Sequence, residues 1–230
     1  MFTAARDAIR LAFEVAQSKS AARAAFLILP YACVLVGLDI AAHYGSLTNA
    51  ELPVQFYLAS DRGFGEFLEY SMTASVAVMT GLLWYRKRIA VYLANAVLFI
   101  WLTIDNWTEV HEGFGQSFAP ALKGMDFIPV EANHLAEAVL FIGIGGFWLI
   151  TLALALRSAS GRALSFSLLL AGCIVGAAIF GVFVDLLVGW GEQDPVYRTL
   201  LVFIEDAGEF AMLILAFLLT VGFFDQEYRA

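Results

Sequence analysis

Six long apolar runs constrain this chain more than any other feature: roughly Ala24 to Ala42, Phe67 to Tyr85, Ile89 to Trp107, Leu135 to Leu156, Leu164 to Val188 and Phe203 to Phe224. Each is close to the roughly 20 residues that a helix needs to cross about 30 Å of hydrocarbon. Hydrophobic residues make up 61% of the chain, and they sit in runs, not in short amphipathic patterns. The expectation is an all-α polytopic membrane protein, a six-transmembrane-helix bundle over 24–224 with no separate soluble domain.

Residues 1–23 form a cytoplasmic or interfacial segment, and 225–230 a cytoplasmic tail. The first 23 residues lack a continuous apolar stretch and carry Arg6, Arg10, Lys19 and Arg23, so no cleavable signal peptide is expected. Phe2, Ala5, Ile9, Phe13 and Ala16 follow helical spacing, which suits a helix lying on the membrane surface.

Ten of the 13 Lys and Arg fall in the N-terminal segment, the Arg86-Lys87-Arg88 turn, the Arg157/Arg162 turn and the tail at Arg229. Six spans put those four places on one side, and the positive-inside rule makes that side the cytoplasm, with both termini in it. The expected location is a bacterial inner (plasma) membrane. Of the 21 Asp and Glu, only Asp7, Glu14, Asp225 and Glu227 share that side. The net charge of −8 is therefore a property of the opposite face, which attracts cations. No nucleic-acid partner is expected.

Measured along each helix at about 1.5 Å per residue, Asp39, Glu69, Asp105, Glu205, Asp206 and Glu209 lie about 20 to 25 Å above the inner surface. His43, Glu66, Glu109 and Glu137 follow at about 28 to 30 Å, with Asp185 and His134 slightly higher. Spacings of three or four residues put Asp39/His43, Glu66/Glu69, Asp105/Glu109/Glu112, His134/Glu137 and Glu205/Glu209 on shared helix faces. Asp206 stands about 100° from Glu205 on the wheel, where it meets a neighbouring helix or the interface.

A charged side chain inside a span costs about 2.5 to 3.5 kcal/mol on insertion scales, so these groups face the bundle interior and need partners. Only Arg62, Lys123 and Arg198 are basic on that side. A metal ion, shared protons or a water-filled vestibule must supply the rest. The candidate ligands are Asp39, His43, Glu69, Asp105, Glu109, His111, Glu112, His134, Glu137, Asp185, Glu205 and Glu209. Mixed carboxylate and imidazole donors suit Zn, Fe or Mn better than Ca or Mg. A helix continuing past Trp107 would turn His111 away from Asp105; a helix ending first would not.

Glu51, Asp61, Asp126, Glu131, Glu192 and Asp194 read as solvated loop charges. "RGFGEF" (62–67) and "EGFGQSF" (112–118) read as turns with aromatic membrane anchors. Gly143, Gly145, Gly146, Gly172, Gly176 and Gly181 are expected to allow close helix approach. Cys33 and Cys173 read as small packing residues, not as a disulfide or thiolate site.

"DNWTEVHEGFG" (105–115) and "FIEDAGEF" (203–210) resemble segments of uncharacterised bacterial multi-pass membrane proteins. That resemblance implies that Asp105, His111, Glu112, Glu205 and Glu209 belong to one site. The chain's three histidines, His43, His111 and His134, give a weaker resemblance to membrane hydrolases of the ceramidase and adiponectin-receptor type, whose His-x-x-x-His pair it lacks. That likeness implies a zinc ion that activates water.

The functional expectation is an outward-facing metal site, serving hydrolysis or oxidation of a lipid-like or small apolar substrate. The alternatives are a proton- or cation-coupled transporter, or a non-catalytic subunit whose acidic face docks a partner. Expected partners are membrane lipids, a second copy, or other components of a membrane complex. Transport needs polar groups below the acids, where only Thr80, Tyr92, Asn95, Thr151, Ser165, Ser167 and Thr220 are scattered. An inverted repeat would also place a second acid-bearing feature at the cytoplasmic end, and none is present.

Overall fold

The computed structural model describes residues 2–50, 52–60, 62–122, 129–159 and 161–229. Glu51, Asp61, Lys123 and Asp126 lie outside the described residues. Helices α1 (Phe2–Ala16), α2 (Lys19–Leu47), α3 (Phe64–Lys87), α4 (Ala90–Thr108), α5 (Val110–Leu122) and α6 (Ala132–Leu156) follow in chain order. Then α7 (Gly161–Ala178) runs through a π-helical stretch, Ile179–Val184, into α8 (Asp185–Val188), and α9 (Pro195–Arg229) closes the chain.

Five helical stretches among the described residues are long and apolar enough to cross a membrane: Lys19–Leu47, Ala90–Thr108, Ala132–Leu156, Gly161–Val188 and Pro195–Tyr228. The run expected as a further span is α3, which is not one of the five. It carries Glu66, Glu69 and several hydroxyls, and Ser71, Thr73, Ser75 and Thr80 each donate to the carbonyl one turn back. Met72, Thr73, Val76, Ala77, Thr80 and Leu83 of α3 are buried, and the helix packs chiefly on α4 and α9. A helix shielded by neighbours tolerates more polar atoms than one facing hydrocarbon.

Local chemistry sets the helix ends. The Ser18 hydroxyl accepts from the Ala21 amide at 3.1 Å and opens α2. Asp194 accepts from the Val196 amide at 2.9 Å, with Pro195 at the first position of α9. The "EGFGQSF" stretch is not a turn: it lies within α5, because the chain makes its turn earlier, at Glu109.

One end of the bundle is basic. There α1 packs against α7 and α9 through Ala8, Leu11 and Val15, leaving Ile9 and Phe13 exposed on its other side. The amphipathic helix read from the sequence therefore forms, and its protein-facing side is the Leu11 side. The N-terminal helix, the end of α9 and the Arg86 and Arg162 turns meet here. Arg162 bonds Glu14 at 2.9 Å and Glu227 at 2.8 Å, and Ser20 bonds Asp225 at 2.8 Å. Beneath this layer Tyr92, Phe166 and Phe223 pack together, the two Phe rings stacked at 4.1 Å.

Gly143, Gly145, Gly146 and Gly172 meet no neighbour within 4 Å of where a Cβ would stand, so they do not mediate close helix contacts. Gly176 and Gly181 do: a Cβ would strike Met212 at the first and the Glu209 carboxylate at the second. Cys33 and Cys173 are free thiols.

Candidate metal centre

The opposite end holds the acids, and α9 divides them. Glu205, Asp206 and Glu209 lie within an arc of about 100° on one helix, and that face of α9 meets several neighbours. Asp206 lies within electrostatic range of Asp39 on α2 as well as Glu209 and Asp185. Glu205 faces the side of Asp185 and Glu137, and Glu69 lies near Glu209 and Asp206. Among the described residues, the charges acting on Glu69, Glu137, Glu205, Asp206 and Glu209 come from other acids and histidines, with no Lys or Arg among them. Arg198 pairs at 3.8 Å with Glu131, an exposed loop acid.

Each of the three histidines stands against one aspartate. His134 Nδ1 is 2.7 Å from Asp185 Oδ1, His111 Nδ1 is 3.1 Å from Asp105 Oδ2, and His43 Nε2 is 3.5 Å from Asp39 Oδ1. The hydrogen-bonded contacts of His134 and His111 orient the imidazole and leave the other nitrogen available as a ligand or proton carrier, whereas the His43 approach is not a hydrogen bond.

Among the described residues, two sets converge tightly enough to hold an ion: Asp39, His43 and Asp206, and His134, Glu137 and Asp185. In each set one donor atom per residue lies within 4.8 Å of the others.

The second set is assembled from distant chain segments. Gly191 N–H donates to Pro129 O at 2.7 Å, and Glu131 N–H to Gly189 O at 3.0 Å. This short antiparallel contact draws the start of α6, with His134, onto the end of α8. The π-helical stretch Ile179–Val184 immediately precedes Asp185; such stretches alter the register of a helix and recur at functional sites. Glycines make the remaining space. Gly189 lies against the His134 ring, Gly115 against the Glu137 carboxylate and Gly181 against the Glu209 carboxylate, so a Cβ at any of them would displace the polar group.

His111 reaches Asp105 because α4 ends. Glu109 takes a left-handed φ of 53° and the chain restarts as α5 at Val110. The His111 amide then donates to Asp105 Oδ1 at 3.0 Å. Burial opposes protonation of His111, but the Asp105 hydrogen bond and the charges of Asp105, Glu137 and Glu112 outweigh it and raise its pKa above the ordinary 6.5.

The structure thus distributes the twelve candidate residues. Asp39 and His43 fall in one set, and His134, Glu137 and Asp185 in the other. Asp105 and His111 form a separate pair, and Glu69, Glu205 and Glu209 stand among the three. Glu112 is within range of His111 and Glu137, and Glu109 serves the α4–α5 joint. Asp206, set apart in the sequence by its wheel angle, belongs to the first set. Its three-residue spacing from Glu209 was the available signal.

A family model described as "Domain of unknown function (DUF8692)" matches residues 64–223. No curated protein and no solved structure matches the chain, ceramidase-type hydrolases included.

Proposed function

The chain belongs to that family of unknown function, and from this premise we propose that it is an integral membrane metal-binding protein with an outward-facing centre at His134, Glu137 and Asp185. It sits in a bacterial inner membrane as six spans, α3 being the sixth, with the basic end and both termini in the cytoplasm. Support for the extra span is that α3 has 24 residues and packs between two of the five apolar helices. The basic residues gathered at one end support the orientation.

The convergence of His134, Glu137 and Asp185 carries the reading. Two carboxylates neutralise a divalent ion, and one neutral imidazole completes a mixed donor set of the kind that holds Zn, Fe or Mn. Glu205, within range of both Glu137 and Asp185, is placed to act as a general base. A depression of about 470 Å³ begins within one turn of Asp185, lined by Leu187, Trp190, Glu192, Gln193, Asp194 and Tyr197. Its mixed lining suits a substrate with an apolar body and a polar head, such as a lipid-like ester or amide, with a metal-activated water or oxygen as the attacking species.

One observation favours the transport reading instead. Thr80, Tyr92, Asn95, Ser165, Ser167 and Thr220 are all buried in the basic half. Asn95 Nδ2 bonds Ser167 Oγ at 3.2 Å, while Asn95 Oδ1 has no partner among the described residues. A water chain through this region would join the acids to the basic end.

The test is elemental analysis of protein purified in detergent without chelators or an affinity metal, beside Glu137→Gln and Glu205→Gln. The expected result is a transition metal that Glu137→Gln loses and Glu205→Gln keeps. A folded protein whose metal content Glu137→Gln leaves unchanged would remove the centre, and pH-driven cation flux in proteoliposomes would then favour transport.

A further inference from the structure

We propose that Asp39, His43 and Asp206 form a second divalent-cation site, a closed structural one that fastens α2 to α9 beneath the segment 52–60. It is independent of the His134 reading, since it shares no residue with that centre.

The geometry comes first. One donor atom from each residue lies within 4.8 Å of the other two. Asp39 is fully buried. Its Oδ1 accepts from the Leu58 amide at 3.0 Å, while Oδ2 has no hydrogen-bond partner among the described residues. His43 Nε2 is likewise buried and makes no hydrogen bond among the described residues, standing 3.5 Å from Asp39 Oδ1. A buried acceptor left unsatisfied is costly, and such atoms are rare in folded proteins. Here two of them, on adjacent turns of one helix, converge with a third carboxylate on another.

Charge selects the occupant. Once ionised, Asp39 and Asp206 bring two negative charges, and no Lys or Arg among the described residues acts on either. A divalent cation cancels them, so the assembled site is neutral in a region where a bare charge is expensive. The neutral His43 ring supplies a nitrogen donor, which favours Zn or Mn over Ca. Its orientation is set by edge contacts with Tyr57 at 4.9 Å and Phe203 at 6.4 Å.

The surroundings make the site structural. Tyr57 Oη donates to Ala42 O at 3.2 Å, and Leu58 is buried in an apolar cluster with Leu35, Leu68 and Phe210. The segment is thereby drawn over Asp39. Beneath it, α2 has only six buried residues out of 29, its main helix partner being α9. An ion shared by Asp39 and Asp206 supplies a link that this thin interface lacks. Structural sites are closed, whereas catalytic sites keep an open position.

The experiment loads purified full-length protein with Zn²⁺, removes the excess, and counts metal per chain in wild type, Asp39→Asn, Asp206→Asn and Glu137→Gln. Asparagine at 39 still accepts from Leu58, so the segment keeps its anchor. Each Asp variant is expected to lose one ion relative to wild type, and the ion it loses is the one that leaves wild type slowly in chelator. Amide exchange at Leu58 then rises on metal removal in wild type and is metal-independent in Asp206→Asn. Asp variants that keep the full complement overturn the site. A single ion lost only in Glu137→Gln also overturns it, while leaving the His134 centre standing. A single ion lost only in the Asp variants supports it and removes the other centre. Metal-free wild type removes both.

Discussion

The two ends of the bundle treat charge in opposite ways. At the basic end, acids meet cations supplied by the chain: Arg162 bridges Glu14 and Glu227, Lys87 also holds Glu227, and Arg86 lies 4.3 Å over the Tyr228 ring. At the acidic end, carboxylates face imidazoles and one another. The first arrangement is complete as a set of protein contacts. The second has no such cations among the described residues, which is why the proposed chemistry is placed there. An internally neutralised layer ties elements together; an electrostatically incomplete one selects a ligand.

The largest expected effect tests that incompleteness directly. If the acidic end is completed by metal, Zn²⁺ at about a thousandfold over its dissociation constant stabilises the protein by ~4 kcal/mol. Thermal unfolding in detergent, with and without chelator, reads this. A melting temperature that does not respond to chelator would break the comparison, because both ends would then be self-sufficient.

At the basic end the matching change is Arg162→Gln, which removes a shared cation from Glu14 and Glu227. The Glu227 side chain is only 12% exposed but keeps Lys87, so the expected loss is about 2 kcal/mol in unfolding free energy. Metal content should not change. A loss of metal in Arg162→Gln would show that the two ends are coupled.

Packing at that end gives the next effect. A Cβ on Gly222 would stand 2.6 Å from Val15 Cγ1 and 2.8 Å from Ser18 Oγ. Gly222→Ala should cost about 1 to 3 kcal/mol and loosen α1, visible as faster proteolysis near Ser18. Gly143→Ala, which meets nothing, should be neutral or stabilising by up to ~1 kcal/mol.

The two ends also respond to pH with opposite sign. The Arg162 hydrogen bond and charge hold Glu14 below its ordinary 4.5, so its contribution is present above that value and fades as pH falls through the lowered one. His111 is raised above 6.5, so its contribution is full below that value and fades as pH rises through the raised one. Unfolding midpoints across this range should lose acid sensitivity in Glu14→Gln and alkaline sensitivity in His111→Asn. Glu14 is partly exposed, and its effect should stay below ~1 kcal/mol. An unchanged profile in His111→Asn would mean that the Asp105 contact does not hold the α4–α5 joint. The smallest change is Glu109→Gly: relief of the left-handed φ should add at most ~1 kcal/mol and leave metal content intact.

Much of this division was legible in the chain. Arg86, Arg162 and the terminal charges fall at one end of every apolar run, and the acids at the other. The pairing of Asp39 with His43 followed from four-residue spacing. The pairing of His111 with Asp105 did not, because it depends on whether α4 stops at Thr108, and "NWTEVHEG" has no glycine or proline where the helix breaks. The wheel angle of Asp206 points to a neighbouring helix or the interface without saying which; α2 is that helix.

By itself, the sequence determined the helical class, the apolar runs, the segregation of charge and the shortage of basic partners for the acids, because the first two follow from periodicity and the last two from where the charged residues fall along the runs. Tertiary structure alone decided that one acid layer resolves into two donor sets and an Asp–His pair. His134 and Asp185 lie 51 positions apart and meet through a loop contact after a π-helical stretch, while Asp39 and Asp206 meet where two helices pack. Donor sets are defined by distances of a few ångströms between different helices, and no spacing within one helix encodes those.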